Sequence, residues 1–171
     1  MRARDPPFQI LLHGTPICNR IAKTLLVLPM VDSRNKGAAY ERDTCKKLNE
    51  FFAEHGFDIT CKRNLDQYQT KDLTDIEIPN HAIECKAYKD GWWFQTAWWT
   101  QVTAACQDLT PVLIYKFNNK AIRVCVPLHY INPQLEFDNQ QTAVMTFDQW
   151  LVILRSKLDI STGAVIHDAP K

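Results

Sequence analysis

Three residues within one short stretch carry the chemistry available to this sequence: Asp75, Glu84 and Lys86. Thr74-Asp75-Ile76-Glu77-Ile78 alternates polar and apolar, breaks at Pro79-Asn80, and resumes as Ala82-Ile83-Glu84-Cys85-Lys86-Ala87-Tyr88. That is the pattern of a β-hairpin. A loop centred on Pro79-Asn80 sets Asp75 across from Glu84 and Glu77 across from Ala82. Directly opposite residues share a sheet face, with Cβ atoms about 5 Å apart. Lys86 follows Glu84 by two and projects from the same face, while Cys85 points the other way. Two carboxylates this close repel unless a proton or cation lies between them. Oxygen donors with few His or Cys nearby favour a hard divalent ion, Mg²⁺ or Mn²⁺. Such an ion activates water and neutralises charge building on a phosphoryl oxygen. A neighbouring lysine orients or deprotonates the attacking water, or stabilises the pentacovalent phosphate.

A third acid points the same way. Glu41 shares a helix edge with Cys45, Leu48 and Phe52, which borders the buried stripe and turns Glu41 toward the sheet. The competing reading is an ordinary one: on a solvated strand face, Glu84-x-Lys86 is only an ion pair. The constellation, rather than any single member, carries the argument.

The elements that must position these groups are legible in outline. A first helix is expected from a cap at Ser33 or Asn35, with Tyr40, Thr44, Leu48, Phe51, Phe52 and His55 at helical spacing and Gly56 as its stop. Phe57–Arg63 reads as a strand, followed by a polar connection and then the hairpin. A second helix is expected over Phe94–Asp108, with Trp98, Val102, Ala105, Cys106 and Leu109 inward. Val112–Tyr115 is a continuous apolar run, as in a strand buried on both faces. Ile122, Val124 and Val126 alternate in a further strand, and Thr146-x-x-Gln149 resembles a capping box opening a last helix.

The 171 residues are 46% hydrophobic and 23% charged, with a formal net charge of +1. That length suits one domain with a real core, and nine Pro with five Gly do not make a low-complexity chain. The longest apolar run, Leu25–Val31, is far short of the roughly 20 residues of a membrane span, so no membrane partner is expected. Six cysteines stand 16 to 27 residues apart without a C-x-x-C pair, which argues against a cysteine zinc site and for reduced thiols in a cytoplasmic protein. Near-neutral total charge gives no global nucleic-acid signature, so any such argument is local.

At this point the chain resembles the PD-(D/E)xK nuclease superfamily, and within it the archaeal-type and phage-encoded Holliday junction resolvases. The likeness lies in Arg34-Asn35-Lys36-Gly37-Ala38-Ala39-Tyr40-Glu41-Arg42, Gly56-Phe57, Asp75-Ile76 and Glu84-Cys85-Lys86, in that order. It covers about residues 33–115. The resemblance implies an α/β, restriction-endonuclease-like αβββαβ core with a mixed central sheet flanked by helices, a homodimer, and Mg²⁺-dependent cleavage of branched DNA. It makes Asp75 and Glu84 metal ligands with the Cys85 main-chain carbonyl, Lys86 the catalytic lysine, and Glu41 the helix acid of the same site. Thr74 stands where the motif's name has Pro, and the chain beyond Ile114 matches nothing specific. The nuclease domain is expected over 33–158, with 1–32 a poorly ordered N-terminal extension and 159–171 a C-terminal tail.

Arg34, Lys36, Arg42, Lys62 and Arg63 are the candidates for phosphate contact, with Asp43, Glu50 and Glu54 nearby to make a plain solvated face the alternative. Gln101 borders the second helix's stripe and either faces the active site or bonds backbone. Trp92-Trp93-Phe94 and Trp98-Trp99 either stack on unpaired bases or serve packing, Trp98 in the core and the others over a sheet edge or dimer contact. The leading expectation is a Mg²⁺-dependent endonuclease for four-way DNA junctions. The alternatives are a nuclease for other branched or double-stranded DNA, and a non-catalytic DNA-binding module on the same fold.

Overall fold

The computed structural model describes residues 33–65 and 73–162, all within the unit Val31–Lys171. The extension expected over 1–32 lies outside them, as do residues 163–171. Helix α1 (Ser33–Glu54) buries Tyr40, Thr44, Leu48 and Phe52, one turn apart, with Glu41, Cys45 and Phe51 beside them. It stops where Gly56 takes φ +73°. The Gly56 N–H then bonds the Ala53 carbonyl and the Phe57 N–H bonds that of Phe52, at 3.3 and 2.9 Å. These are the paired bonds of a Schellman stop, and the Phe52 and Phe57 rings meet edge to face across it.

The hairpin consists of β1 (Ile76–Ile78) and β2 (His81–Tyr88). Its register is Ile76 to Ile83, Glu77 to Ala82 and Ile78 to His81, around Pro79-Asn80. Proline presets the first turn position, and Asn80 takes φ 63° at the second, as a type II turn requires. Helix α2 (Thr96–Ala105) then crosses over to β3 (Thr110–Phe117), which runs parallel to β2. Strands β4 (Arg123–Pro127) and β5 (Thr142–Thr146) add antiparallel, with the one-turn helix α3 (Leu128–Ile131) between them. Helix α4 (Phe147–Thr162) closes the described chain. Its capping box is formed: Gln149 N–H donates to Thr146 Oγ1, and Thr146 N–H to Gln149 Oε1.

The result is a mixed five-stranded sheet in sequence order, β1 to β5, flanked by helices. Ile83, Cys85, Val112, Ile114, Val124 and Val126 face α1 and α4, which contribute Leu48, Phe52, Trp150, Leu154 and Leu158. The other face presents Leu113, Tyr115, Phe117 and Cys125 to Trp98, Trp99 and Val102 of α2. This is the expected mixed sheet between helices, consistent with a restriction-endonuclease-like architecture. Among the described residues no helix is long and apolar enough to cross a membrane.

Four sequence expectations need correction. Phe57–Arg63 is not a strand; it keeps a single bridge, Arg63 to Ile76. Its alternation is real, with Cys61 buried and its neighbours exposed or half-buried. However, the Asn49 amide takes both the N–H and the carbonyl of Cys61, at 2.7 and 3.0 Å, where a ladder partner would stand. Helix α2 is shorter than Phe94–Asp108, and Gln107 leaves it with φ 50°. Trp99 is as buried as Trp98, its indole N–H held by the Asn139 carbonyl. Finally, α4 runs through Thr162, into the segment read as tail. Strand β5 carries no clear burial alternation in the sequence, since only Met145 of its five residues is fully buried.

His81 is buried, its Nδ1 2.6 Å from the Pro79 carbonyl and its Nε2 2.9 Å from the Tyr130 hydroxyl. The carbonyl requires a proton on Nδ1, and because burial disfavours the charged ring, Nε2 is left to accept from Tyr130. Burial holds its pKa below the usual 6.5. A depressed folded-state pKa gives stability that is complete above the unfolded value and lost as pH falls through the folded one. The melting deficit of His81→Gln relative to wild type should therefore shrink between pH 7.5 and pH 5, measured by thermal denaturation. A deficit constant across that range contradicts the neutral assignment.

Candidate active site

The hairpin register, continued one residue past Ile76, sets Asp75 opposite Glu84. The strand alternation then separates two environments on β2. Ile83 and Cys85 belong to the α1/α4 core, while Glu84 and Lys86 meet Gln101 of α2. A cavity of about 900 Å³ runs beside the C-terminal half of β2, lined by Lys36, Glu41, Asp75, Glu84, Lys86 and Asn118. Six of the residues singled out from the sequence, Lys36, Glu41, Asp75, Glu84, Cys85 and Lys86, are thus together in one pocket.

Each carboxylate has a distinct anchor. Asp75 Oδ2 accepts the Cys85 backbone N–H at 2.7 Å, so the side chain itself closes the hairpin where the ladder ends. Glu84 Oε1 accepts from Lys86 Nζ at 2.5 Å and from Gln101 Nε2 at 2.8 Å. Lys86 Nζ also donates to Gln101 Oε1 at 2.9 Å, which closes a triangle. Glu41 Oε2 accepts from Arg63 Nε at 2.6 Å.

The Arg63 contact belongs to a strap that the sequence did not reveal. Glu41, Cys45 and Asn49 lie one turn apart on α1, and they meet Arg63, the Cys61 thiol and the Cys61 backbone respectively. Cys45 and Cys61 share a hydrogen bond that pushes the Cys45 thiol's pKa down and that of Cys61 up. The signal was present as a Glu-x3-Cys-x3-Asn spacing on one helix edge. Recognising it required knowing which distant segment lies alongside.

The remaining candidates are dispersed. Lys36 Nζ donates to Asn118 Oδ1 across the pocket mouth. Arg42, Lys62 and Arg63 line a separate groove with Lys46 and Asn49. Arg63 itself is 14% exposed and turned to Glu41, instead of standing on an open surface. Arg34 lies in the first turn of α1, and its side chain is outside the described residues.

Burial dominates the electrostatics. Asp75 and Glu84 are 6% and 2% exposed. Desolvation, then the Glu84 charge, pushes Asp75 up to about 7 against the Cys85 N–H, and Glu41 adds to the rise. Glu84 is raised as well, chiefly by burial, with Lys86 and Gln101 opposing. Among the described residues no three His, Cys, Asp or Glu side chains stand placed to hold a metal ion. The donor chemistry nonetheless suits a hard cation: two carboxylates buried together carry a repulsion that a divalent ion on their oxygens removes.

That repulsion opposes folding wherever both acids are ionised. The raised Asp75 pKa means stability that is complete below about 4 and lost as pH rises through about 7 in metal-free protein. Asp75→Asn keeps an oxygen for the Cys85 N–H and removes the charge. In EDTA at pH 8 it should melt several degrees above wild type, on the order of 1–3 kcal/mol, and the gap should close by pH 4. Thermal denaturation at the two pH values checks this, and equal melting at pH 8 refutes it.

Comparison with known proteins places the chain. Residues 32–157 match the family described as "Phage putative PDDEXK endonuclease". Among solved structures, Hjc from the archaeal hyperthermophile Archaeoglobus fulgidus, a Holliday junction resolvase, is similar at 18% identity. That match covers 66% of this chain and 85% of that one, with a TM-score of 0.40. No curated protein matches the sequence. With residues 32–157 matched, most of its length, the chain belongs to the phage PD-(D/E)xK endonuclease family of the wider nuclease superfamily.

Proposed function

We propose that the protein is a metal-dependent DNA endonuclease that hydrolyses phosphodiester bonds, with the four-way junction as its substrate and a homodimer as its working form. The observation that carries the reading is the pocket itself. Two buried carboxylates and a lysine on one hairpin face stand in an open cavity of about 900 Å³, large enough for a phosphodiester and its sugars. Family membership supports hydrolysis of DNA.

Asp75, Glu84 and the Cys85 main-chain carbonyl would hold Mg²⁺, or Mn²⁺ in its place. When bound, such an ion supplies a polarised water and neutralises charge on the phosphoryl oxygens. The chain's own residues do the rest. Gln101 holds Glu84 and Lys86 in one orientation through both ends of its amide. Lys86 places its ammonium beside Glu84, where it can bind a non-bridging phosphate oxygen or orient the attacking water. Arg63 fixes Glu41 at the pocket wall. Lys36 at the mouth, together with Arg34, Arg42 and Lys62, would take phosphates along the strand, positioning DNA without reading sequence.

The junction is supported by the order of motifs shared with resolvases, and a dimer suits it because a four-way junction needs two cuts related by a dyad. One observation favours a second reading. Every acid of the site already has an internal partner, as a non-catalytic DNA-binding module would have.

Nicking separates the two. Purified protein with Mg²⁺ should cut an immobile four-way junction in symmetric pairs and leave linear duplex of the same arm sequence intact. Glu84→Ala, Lys86→Ala and EDTA should each lower the rate by about 100-fold or more. Equal cutting of duplex keeps the nuclease and removes junction specificity. Binding without cutting in either metal supports the module.

A further inference from the structure

A second cavity, of about 190 Å³, lies on the α2 side of the sheet and has no part in the carboxylate site. Trp92, Trp93, Tyr115 and Phe117 line it, with Lys120 and Arg123 at its edge. Tyr115 is 1% exposed, and its buried hydroxyl has no hydrogen-bond partner among the described residues. That hydroxyl is sealed from solvent, so what the cavity offers a guest is its aromatic wall and the two cations. Trp92 and Trp93 are 80% and 57% exposed, which is unusual for two adjacent indoles outside a binding surface.

These tryptophans are held in place. Gly91 has φ +151°, and a Cβ there would stand 2.1 Å from the Phe117 ring. The loop backbone is therefore pressed onto the sheet, in a conformation that only glycine adopts readily. Lys120 Nζ lies 4.2 Å from the centre of the Trp92 ring, and Trp93 stacks on Phe94.

The size and chemistry of the cavity select its guest. At about 30 Å³ per water it has room for one flat ring system, not a whole nucleotide. Aromatic walls also suit quaternary ammonium groups, but Lys120 and Arg123 would repel a cation. A ring attached to an anion satisfies both features. The cavity also adjoins the carboxylate pocket. Lys89 and Asn118 line that pocket, three and two residues from Trp92 and Lys120, a reach of at most about 10 Å.

We propose that this cavity receives one unstacked base of a DNA strand, with Trp92 and Trp93 stacking on it and Lys120 and Arg123 taking the flanking phosphates. The inference rests on DNA as the substrate and adds to it a preference for unpaired nucleotides close to the cut. Every base has a π-face, so a stacking site discriminates weakly among bases.

The test uses labelled octathymidylate and an abasic octamer of equal charge, titrated into the full chain in EDTA and followed by anisotropy. Wild type should bind the base-bearing strand about tenfold more tightly than the abasic one. Trp92→Ala should erase that difference and leave the abasic affinity unchanged. Gly91→Ala should do the same by displacing the loop. Equal affinities in wild type, no binding of either strand, or a Trp92→Ala loss shared by both strands overturns the proposal. A Trp92→Ala change in sedimentation without base preference in wild type makes the cavity a subunit contact instead. Base preference without junction nicking leaves the cavity standing and the endonuclease reading lost; nicking without base preference gives the reverse.

Discussion

Asp75 and Glu84 are buried opposite each other, and this single electrostatic constraint shapes the rest of the molecule. Carboxylates in that position tend to take up protons, and they repel each other when ionised. The fold tolerates them because each is fixed by a specific donor: the Cys85 N–H for Asp75, and Lys86 with Gln101 for Glu84. Those donors come from a strand and a helix that are themselves immobilised by apolar packing. A site with such a strained charge distribution gains from any ligand that brings positive charge, and it loses little when its acids are replaced by neutral isosteres, except its chemistry.

The scaffold answers that constraint with rigidity. Strand β3 is buried on both faces, with Val112 and Ile114 toward α1 and α4 and Leu113 and Tyr115 toward α2. Parallel pairing of β2 to β3 over eight residues carries Glu84 and Lys86 as part of that slab. The loop after β2 and the turn after β3 are tied to each other by the Asn118 N–H on the Tyr88 and Lys89 carbonyls. Charge is therefore presented from a packed framework.

The strap from Cys61 to Arg63 shows how a helix edge can act as a docking rail. Glu41, Cys45 and Asn49 present an acid, a thiol and an amide one turn apart, and each finds its partner on an extended segment with no strand ladder of its own. The acid nearest the pocket is thereby held by an arginine that, read from the sequence, belonged with the phosphate contacts. An ion pair with both members nearly out of solvent is worth more to position than to stability, because desolvation offsets much of its attraction.

Local rules were enough to read the hairpin from the sequence. Alternation about Pro79-Asn80 fixes which residues face each other, and a period of two leaves no freedom once the turn is known. The Gly56 stop, the Thr146-Gln149 capping box and the two-faced burial of Val112–Tyr115 were readable for the same reason: each depends on neighbours within a few residues. What only the tertiary structure decided is where separate segments meet. Phe57–Arg63 alternates like a strand, but alternation reports burial and is silent about backbone partners, which Asn49 supplied instead. Gln101, Arg63 and the aromatic cavity around Tyr115 depend on the packing of α2, α1 and the β2–α2 loop onto the sheet. Such contacts span many residues and have no period, so the sequence by itself determined the acids and the lysine, and the packed sheet determined what stands around them.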